Sequence, residues 1–237
     1  MKGLRNRANR VTTPFVIVFD VNETLIDIES LAPLFERVFG DGRVFREWFN
    51  QLVLYSNAIT LAGHYETFFT LGQGVLKMLG TIYNVPVRPA DLEELRERML
   101  SLPAHEDVPE GLRMLREADF RLITLTNSPA DKGGTPLERA GLAPFFERQF
   151  SVDQVRRFKP APEVYQLIPE LLGLVPAAFC LIAAHTWDTL GAQSVGFAAG
   201  LVTRRGNAPL PVEGIPQPQA IAPDLPGIAR QLIGMWG

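Results

Sequence analysis

Apolar residues fall along this chain in two rhythms. Short continuous runs rich in β-branched side chains recur at residues 15–19 (FVIVF), 121–126 (RLITLT), 178–184 (AFCLIAA) and 198–203. Each run stops at a polar group: Asp20, then Asn127-Ser128-Pro129, then His185, then Arg204-Arg205-Gly206. Continuous apolar runs of this length predict strands buried on both faces, as in a parallel sheet. Between them, residues 109–118, 162–172 and 187–195 repeat at the helical period. Strand alternating with helix predicts an α/β fold, a Rossmann-like doubly wound parallel sheet covered by helices.

Residues 28–103 follow a different pattern. No strand run stands out, and helical repeats occupy residues 31–39, 44–61, 66–83 and 89–102. Four helices placed directly after the first strand predict an inserted helical cap over that strand's carboxyl end. The expected division is a disordered leader at residues 1–14, an α/β core at 15–28 and 104–237, and a cap at 29–103. Residues 207–226 are rich in Pro and Gly and predict a surface crossing before a last helix at 225–236.

Composition narrows the possible functions. The 237 residues carry 23 Lys and Arg against 26 Asp and Glu, a net charge of −3, so no basic stripe for nucleic acid is expected. Cys180 is the single cysteine, which excludes an internal disulfide and a multi-cysteine zinc site. With His64, His105 and His185 as the complete histidine set, a three-histidine metal site would consume them all. The basic residues Lys2, Arg5, Arg7 and Arg10 lack a following signal-peptide core, and no apolar window is long enough to span a membrane. A cytoplasmic protein with no cofactor or metal is expected.

In open α/β sheets, ligands bind beyond the carboxyl ends of the strands, where strand order reverses. Asp20, Thr126-Asn127 and His185 to Asp188 all fall at such ends, and Lys159 precedes the helix carrying Tyr165.

These segments, in order, resemble the motifs of the haloacid dehalogenase superfamily. They are Phe19-Asp20-Val21-Asn22-Glu23-Thr24-Leu25, Leu125-Thr126-Asn127-Ser128, Lys159-Pro160-x-Pro162-x-x-Tyr165, and Ala183-Ala184-His185-Thr186-Trp187-Asp188. Within the superfamily the chain is most similar to the (S)-2-haloacid dehalogenases. The phosphatase branch has a second Asp where this chain has Asn22, which cannot give and recover a proton. A departing halide needs no proton. The resemblance thus implies hydrolysis of small (S)-2-haloalkanoic acids to (R)-2-hydroxy acids through an ester on Asp20, with water and halide as the other partners. It also suggests a homodimer. A Mg²⁺-dependent small-molecule phosphatase remains the alternative enzyme, and a silent binding module on the same fold the alternative outside catalysis.

The chain departs from the pattern in four places. Phe49 stands where these dehalogenases usually carry an arginine that cradles halide, Ala183 replaces a serine, His185 an asparagine, and Glu23 a glycine. The last two departures are complementary. His185 supplies a base titrating near neutrality, and Glu23 can fix its tautomer, so a His185–Glu23 pair is expected to activate the water that hydrolyses the ester. Lys159 is expected to keep Asp20 ionised, and Asp188 to position Lys159 or the water. Backbone N–H groups of Val21 and Asn22, with Thr126 and Asn127, are candidates for the substrate carboxylate. Thr24 reads as a residue that holds the loop, at the edge of the substrate site. Trp48 and Tyr55 share one face of the cap helix and serve either core or pocket, whereas Phe49 is expected to line the pocket, and Tyr165 to complete it. His64 and His105 are expected at the surface or cap edge, and Cys180 as buried packing.

Overall fold

A computed structural model describes residues 13–129 and 134–237; the expected leader lies almost entirely outside the described residues. Six parallel strands form one sheet: β1 (Val16–Phe19), β2 (Arg121–Thr126), β3 (Arg148–Ser151), β4 (Phe179–Ala183), β5 (Ala198–Val202) and β6 (Ala220–Ala222). Their spatial order is β3-β2-β1-β4-β5-β6. β1 pairs with β2 on one side, Phe19 opposite Thr124, and with β4 on the other, Phe19 opposite Ile182. The order therefore reverses at β1, the place where a doubly wound sheet opens a crevice.

The residues dictate this arrangement. All four side chains of β1 are fully buried, as are those of β4, so these strands must be covered on both faces. The helices that cover the sheet include α5 (Val108–Glu117), α7 (Pro162–Leu172), α8 (Thr186–Ser194) and α9 (Leu225–Trp236). α5 packs against α9, and α7 against α8. α5 can approach because Gly111 lacks a side chain: a Cβ there would lie 2.5 Å from Leu225 Cγ. A short α6 (Pro136–Arg139) precedes β3.

β3 and β6 are absent from the pattern of apolar runs, and both lie at sheet edges. β6 runs through the segment expected to be a plain surface crossing.

The inserted cap consists of α1 (Ala32–Phe39), α2 (Val44–Leu61), α3 (Phe68–Ile82) and α4 (Pro89–Leu100). Its interior is aromatic: Trp48 lies 5.4 Å from Phe35 and 6.4 Å from Phe45, centroid to centroid. The Trp48 indole N–H donates to Gly72 O at 2.8 Å. The chain enters and leaves the cap side by side. Asp27 N–H donates to Pro103 O, His105 N–H donates to Leu25 O, and Ile26 bridges Ala104 in antiparallel sense. At the far side, Phe158 N–H donates to Thr60 Oγ1 at 3.0 Å and ties the cap to the loop before Lys159. No described helix is long and apolar enough to cross a membrane.

Candidate active site

Asp20 continues the line of β1, its N–H donating to Ile182 O at 3.0 Å. The turn that follows doubles back at once, with Leu25 and Ile26 N–H both donating to Val21 O. Glu23 sits at φ +66° within it, a left-handed conformation that favours glycine. Thr24 faces back into the turn: its hydroxyl donates to Asp20 Oδ2 at 2.6 Å and accepts from Ala184 N–H at 2.8 Å. One hydroxyl thereby ties the end of β1 to the end of β4.

Lys159 is fully buried, and its Nζ reaches Asp20 Oδ1 at 2.9 Å and Asp188 Oδ2 at 2.8 Å. The Tyr165 hydroxyl donates to Asp188 Oδ1 at 2.6 Å, so the second oxygen of Asp188 is also satisfied. A buried charge this well bonded is affordable only as a set, because removing any member leaves the others unpaired. Burial alone would raise the Asp20 carboxyl, but the Lys159 ammonium, the neighbouring His185 ring and the Thr24 hydroxyl hold it far below the usual carboxylate range. Burial pulls the Lys159 ammonium down, yet Asp188 and Asp20 together push it up.

His185, at the head of α8, is buried between two carboxylates. Its Nε2 meets Glu23 Oε2 at 2.7 Å, and its Nδ1 lies 3.5 Å from Asp20 Oδ2. Burial opposes its charge, but Asp20 and Glu23 raise it to about 9. Glu23 is held below its ordinary value: burial raises it, and His185 and Arg46 more than offset this. Arg46, on α2, grips Glu23 Oε1 through Nη1.

Above Asp20 lies a small, tight, partly open pocket. Asn22, Asn127, His185 and Trp187 line it from the core, and Phe49, Val53 and Phe68 from the cap. The Phe49 ring lies 5.6 Å from that of His185, which stacks on Trp187 at 4.8 Å. A buried carboxylate at the floor, amides and a titratable ring at the sides, and an apolar roof suit a small polar molecule partly shielded from water.

A family model for haloacid dehalogenase-like hydrolases matches residues 16–196. The chain belongs to the haloacid dehalogenase-like hydrolases. An (S)-2-haloacid dehalogenase of Xanthobacter autotrophicus is 32% identical over 193 residues, covering 79% of this chain and 74% of that protein. One from Pseudomonas sp. (strain YL) is 28% identical, covering 81% and 83%. The solved structure of the Xanthobacter autotrophicus L-2-haloacid dehalogenase with chloropropionic acid covalently bound superposes with a TM-score of 0.83 at 26% identity, covering 94% of this chain and 100% of that one.

Within this dehalogenase-like frame, the fold gathers Asp20, Glu23, Lys159, His185 and Asp188 into one cluster, a hydrogen-bonded Asp20–Lys159–Asp188 set and a hydrogen-bonded His185–Glu23 pair whose Nδ1 lies 3.5 Å from Asp20. Asn22, Phe49 and Asn127 border the cavity. Three other expected substrate contacts, Trp48, Thr126 and Tyr165, have their side chains engaged elsewhere, and Thr24 holds the loop as expected. Thr24 is consumed by Asp20 and Ala184, and Tyr165 by Asp188, so both act through a carboxylate. Trp48 is closed inside the cap, while Tyr55, one helical repeat on, is exposed, because the cap interior reaches only the first of the two. Thr126 faces a separate pocket beside α6, bordered also by Val21, and its Oγ1 accepts from Ser128 N–H at 3.1 Å. Asn22 Nδ2 donates to Ser128 Oγ at 3.0 Å and stands between the two spaces.

Of the remaining singled-out residues, His64 is exposed, and Cys180 is buried with its thiol pushed up by desolvation. His105 is half-buried, and its Nε2 lies 3.0 Å from Glu23 O. Sequence reasoning missed Val53, Phe68 and above all Arg46. An arginine near the start of an amphipathic helix reads as a solvated charge, and nothing in its spacing distinguishes it.

Proposed function

We propose that this enzyme, an (S)-2-haloacid dehalogenase, converts small (S)-2-haloalkanoic acids to (R)-2-hydroxy acids through an ester on Asp20, and that His185 with Glu23 activates the hydrolytic water. The observation that carries the reading is the Asp20 carboxylate itself, held ionised between Lys159 and Thr24 at the floor of a small pocket under the cap. The covalent adduct of the Xanthobacter relative supports the same route.

In the first step a carboxylate oxygen of Asp20 attacks C2, the carbon–halogen bond breaks, and halide departs with inversion. Asn127 accepts the backbone N–H of Lys159 through Oδ1 at 3.1 Å, which leaves its amide N–H groups as donors for the substrate. No protonation is required, in keeping with Asn22 in place of an acid. In the second step water adds to the ester carbonyl of Asp20. His185 Nδ1 is on the correct side to take the water's proton, while Nε2–H stays on Glu23. The adduct collapses with cleavage of the bond from the carbonyl carbon to the 2-oxygen, and the alkoxide leaves as the hydroxy acid by taking a proton back from His185. The acid proton of the regenerated Asp20 passes to His185, restoring the carboxylate and the imidazolium.

Charge makes the two steps sequential. In the free enzyme His185 is an imidazolium, because Asp20 and Glu23 are both anionic around it. Esterification neutralises Asp20 and removes one of those anions, so His185 yields a proton and becomes a base only once there is an ester to hydrolyse. That proton is the one the overall reaction releases with the halide.

The test is free halide released from racemic 2-chloropropionate in excess EDTA, with Asp20→Asn as the blank. Release stopping near half the substrate is expected. Turnover of phosphate esters with Mg²⁺ and no halide would overturn the reading. For the second step, His185→Asn is expected to release about one halide per enzyme and retain the acid as an ester on Asp20. Ordinary turnover in that variant would remove His185 from the mechanism.

A further inference from the structure

Arg46 touches neither Asp20 nor the cavity, yet one guanidinium collects partners from three separate segments. Nη1 holds Glu23 Oε1 in the turn after β1. Nη2 lies 3.4 Å from Glu29 Oε1 and 3.3 Å from Arg205 O, in the loop after β5. The loop can come this close because the next residue is Gly206, at φ +83°, where a Cβ would sit 3.3 Å from Arg46 Cζ. The face of Phe45 backs the guanidinium at 5.3 Å. This is unlike a surface ion pair: the Glu23 side chain is only 3% exposed.

Arg46 also lies on the cap, near Phe49, whose ring packs on His185. One cap helix therefore touches both members of the water-activating pair, His185 through Phe49 and Glu23 through Arg46. A glutamate in a left-handed turn has a flexible side chain, and one oxygen must be held for the other to remain on Nε2.

We infer that Arg46 is a positioning residue: by fixing one oxygen of Glu23 it aims the other at His185, so that the hydrolytic pair is assembled only when the cap helix is seated. The inference rests on water activation by His185 and Glu23. It gives Arg46 a function that depends on Glu23, and it ties ester hydrolysis, rather than halide release, to cap position.

Asp20 and Glu23 face His185, with Lys159 and Asp188 beyond Asp20. Around Glu23 stand His185, Arg46 and, on its backbone oxygen, His105. Arg204 is engaged by Asp107 and Thr24 O, and Arg205 by Glu29.

The experiment is rapid-quench halide release from (S)-2-chloropropionate with intact-mass detection of the ester, on wild type, Arg46→Met, Arg46→Lys and His185→Asn. Arg43→Met, which removes a 91% exposed cap arginine, is the control. The burst amplitude counts folded, competent sites and so corrects for any loss of stability. Arg46→Met is expected to keep a full burst per folded site, slow the second phase about 10- to 100-fold, and accumulate ester. It should also shift the pH profile of that phase, and Arg46→Lys, a point charge without the fork, should recover part of the rate. If His185→Asn accumulates ester but Arg46→Met has the wild-type second phase, the role of Arg46 is overturned and the pair stands. If His185→Asn turns over normally, the water-activating pair itself falls, and the inference with it. Equal slowing of burst and second phase in Arg46→Met would also overturn it.

Discussion

Removing His185 should erase a specific part of the pH dependence of stability. His185 is raised from 6.5 to about 9 in the folded protein by Asp20 and Glu23, against the opposing effect of burial. A base whose folded value lies above its unfolded value stabilises fully below the unfolded value, and the contribution is lost as pH rises through the folded one. At about 1.4 kcal/mol per unit, the shift contributes about 3 kcal/mol near pH 6 and almost nothing above about pH 9. The measurement is urea unfolding of wild type and His185→Asn across that interval. Cys180 titrates in the same region, and its elevated thiol also subtracts stability as pH rises, because the unfolded thiol ionises first. Both proteins share that contribution, so the informative quantity is their difference. It should shrink by about 3 kcal/mol from about pH 6 to about pH 9. A difference that stays constant would mean that His185 is neutral in the folded enzyme, and the charge-gated order of the two steps would lose its basis.

Other perturbations probe the cluster from different sides. Thr24→Val keeps the shape but strands Ala184 N–H and strips a charge-assisted bond from Asp20; a loss of about 3–5 kcal/mol is expected in denaturant melts. Lys159→Met leaves Asp20 and Asp188 buried together without a cation, a loss of about 3–5 kcal/mol at neutral pH. In that variant stability should rise on acidification, since the folded pair then binds protons more tightly than the unfolded chain. Gly191→Ala puts a Cβ 2.5 Å from the Tyr165 hydroxyl and should cost about 1–3 kcal/mol while loosening Asp188. Because that Cβ also meets Tyr165 Cε2 at 2.6 Å and Cζ at 2.7 Å, adding Tyr165→Phe should not restore the stability, as read by melts.

Much of the fold is written in the chain as burial on two faces. β1, β2, β4 and β5 are long enough and apolar enough to be read directly, whereas β3 has the sequence RQFS with only Phe150 buried, and β6 is three residues long. An edge strand needs few apolar side chains, so its pattern fades into that of a loop. For the site, motif spacing marked Asp20, Lys159, His185 and Asp188, because each ends a strand or follows one. It did not give side-chain direction. Thr24, Thr126 and Tyr165 are adjacent to the site in sequence, yet their hydroxyls point at Asp20, at Ser128 N–H and at Asp188. Arg46 was invisible for the converse reason, since its partners come from distant segments that only the folded chain brings together.

The double linker of the cap bears on how the chain folds. β1 cannot pair with β2 until everything from Val21 to Phe120 has been looped out, as Val16 opposite Arg121 requires. Closing a loop of that length from an open coil is entropically slow. The Ile26–Ala104 bridge and the flanking bonds Asp27–Pro103 and His105–Leu25 clamp the base of the loop. A cap that folds around its own aromatic interior brings those ends together in advance, and the remaining closure is then as short as an ordinary crossover. The insertion that roofs the cavity would thus also serve as a folding tether for the central strands.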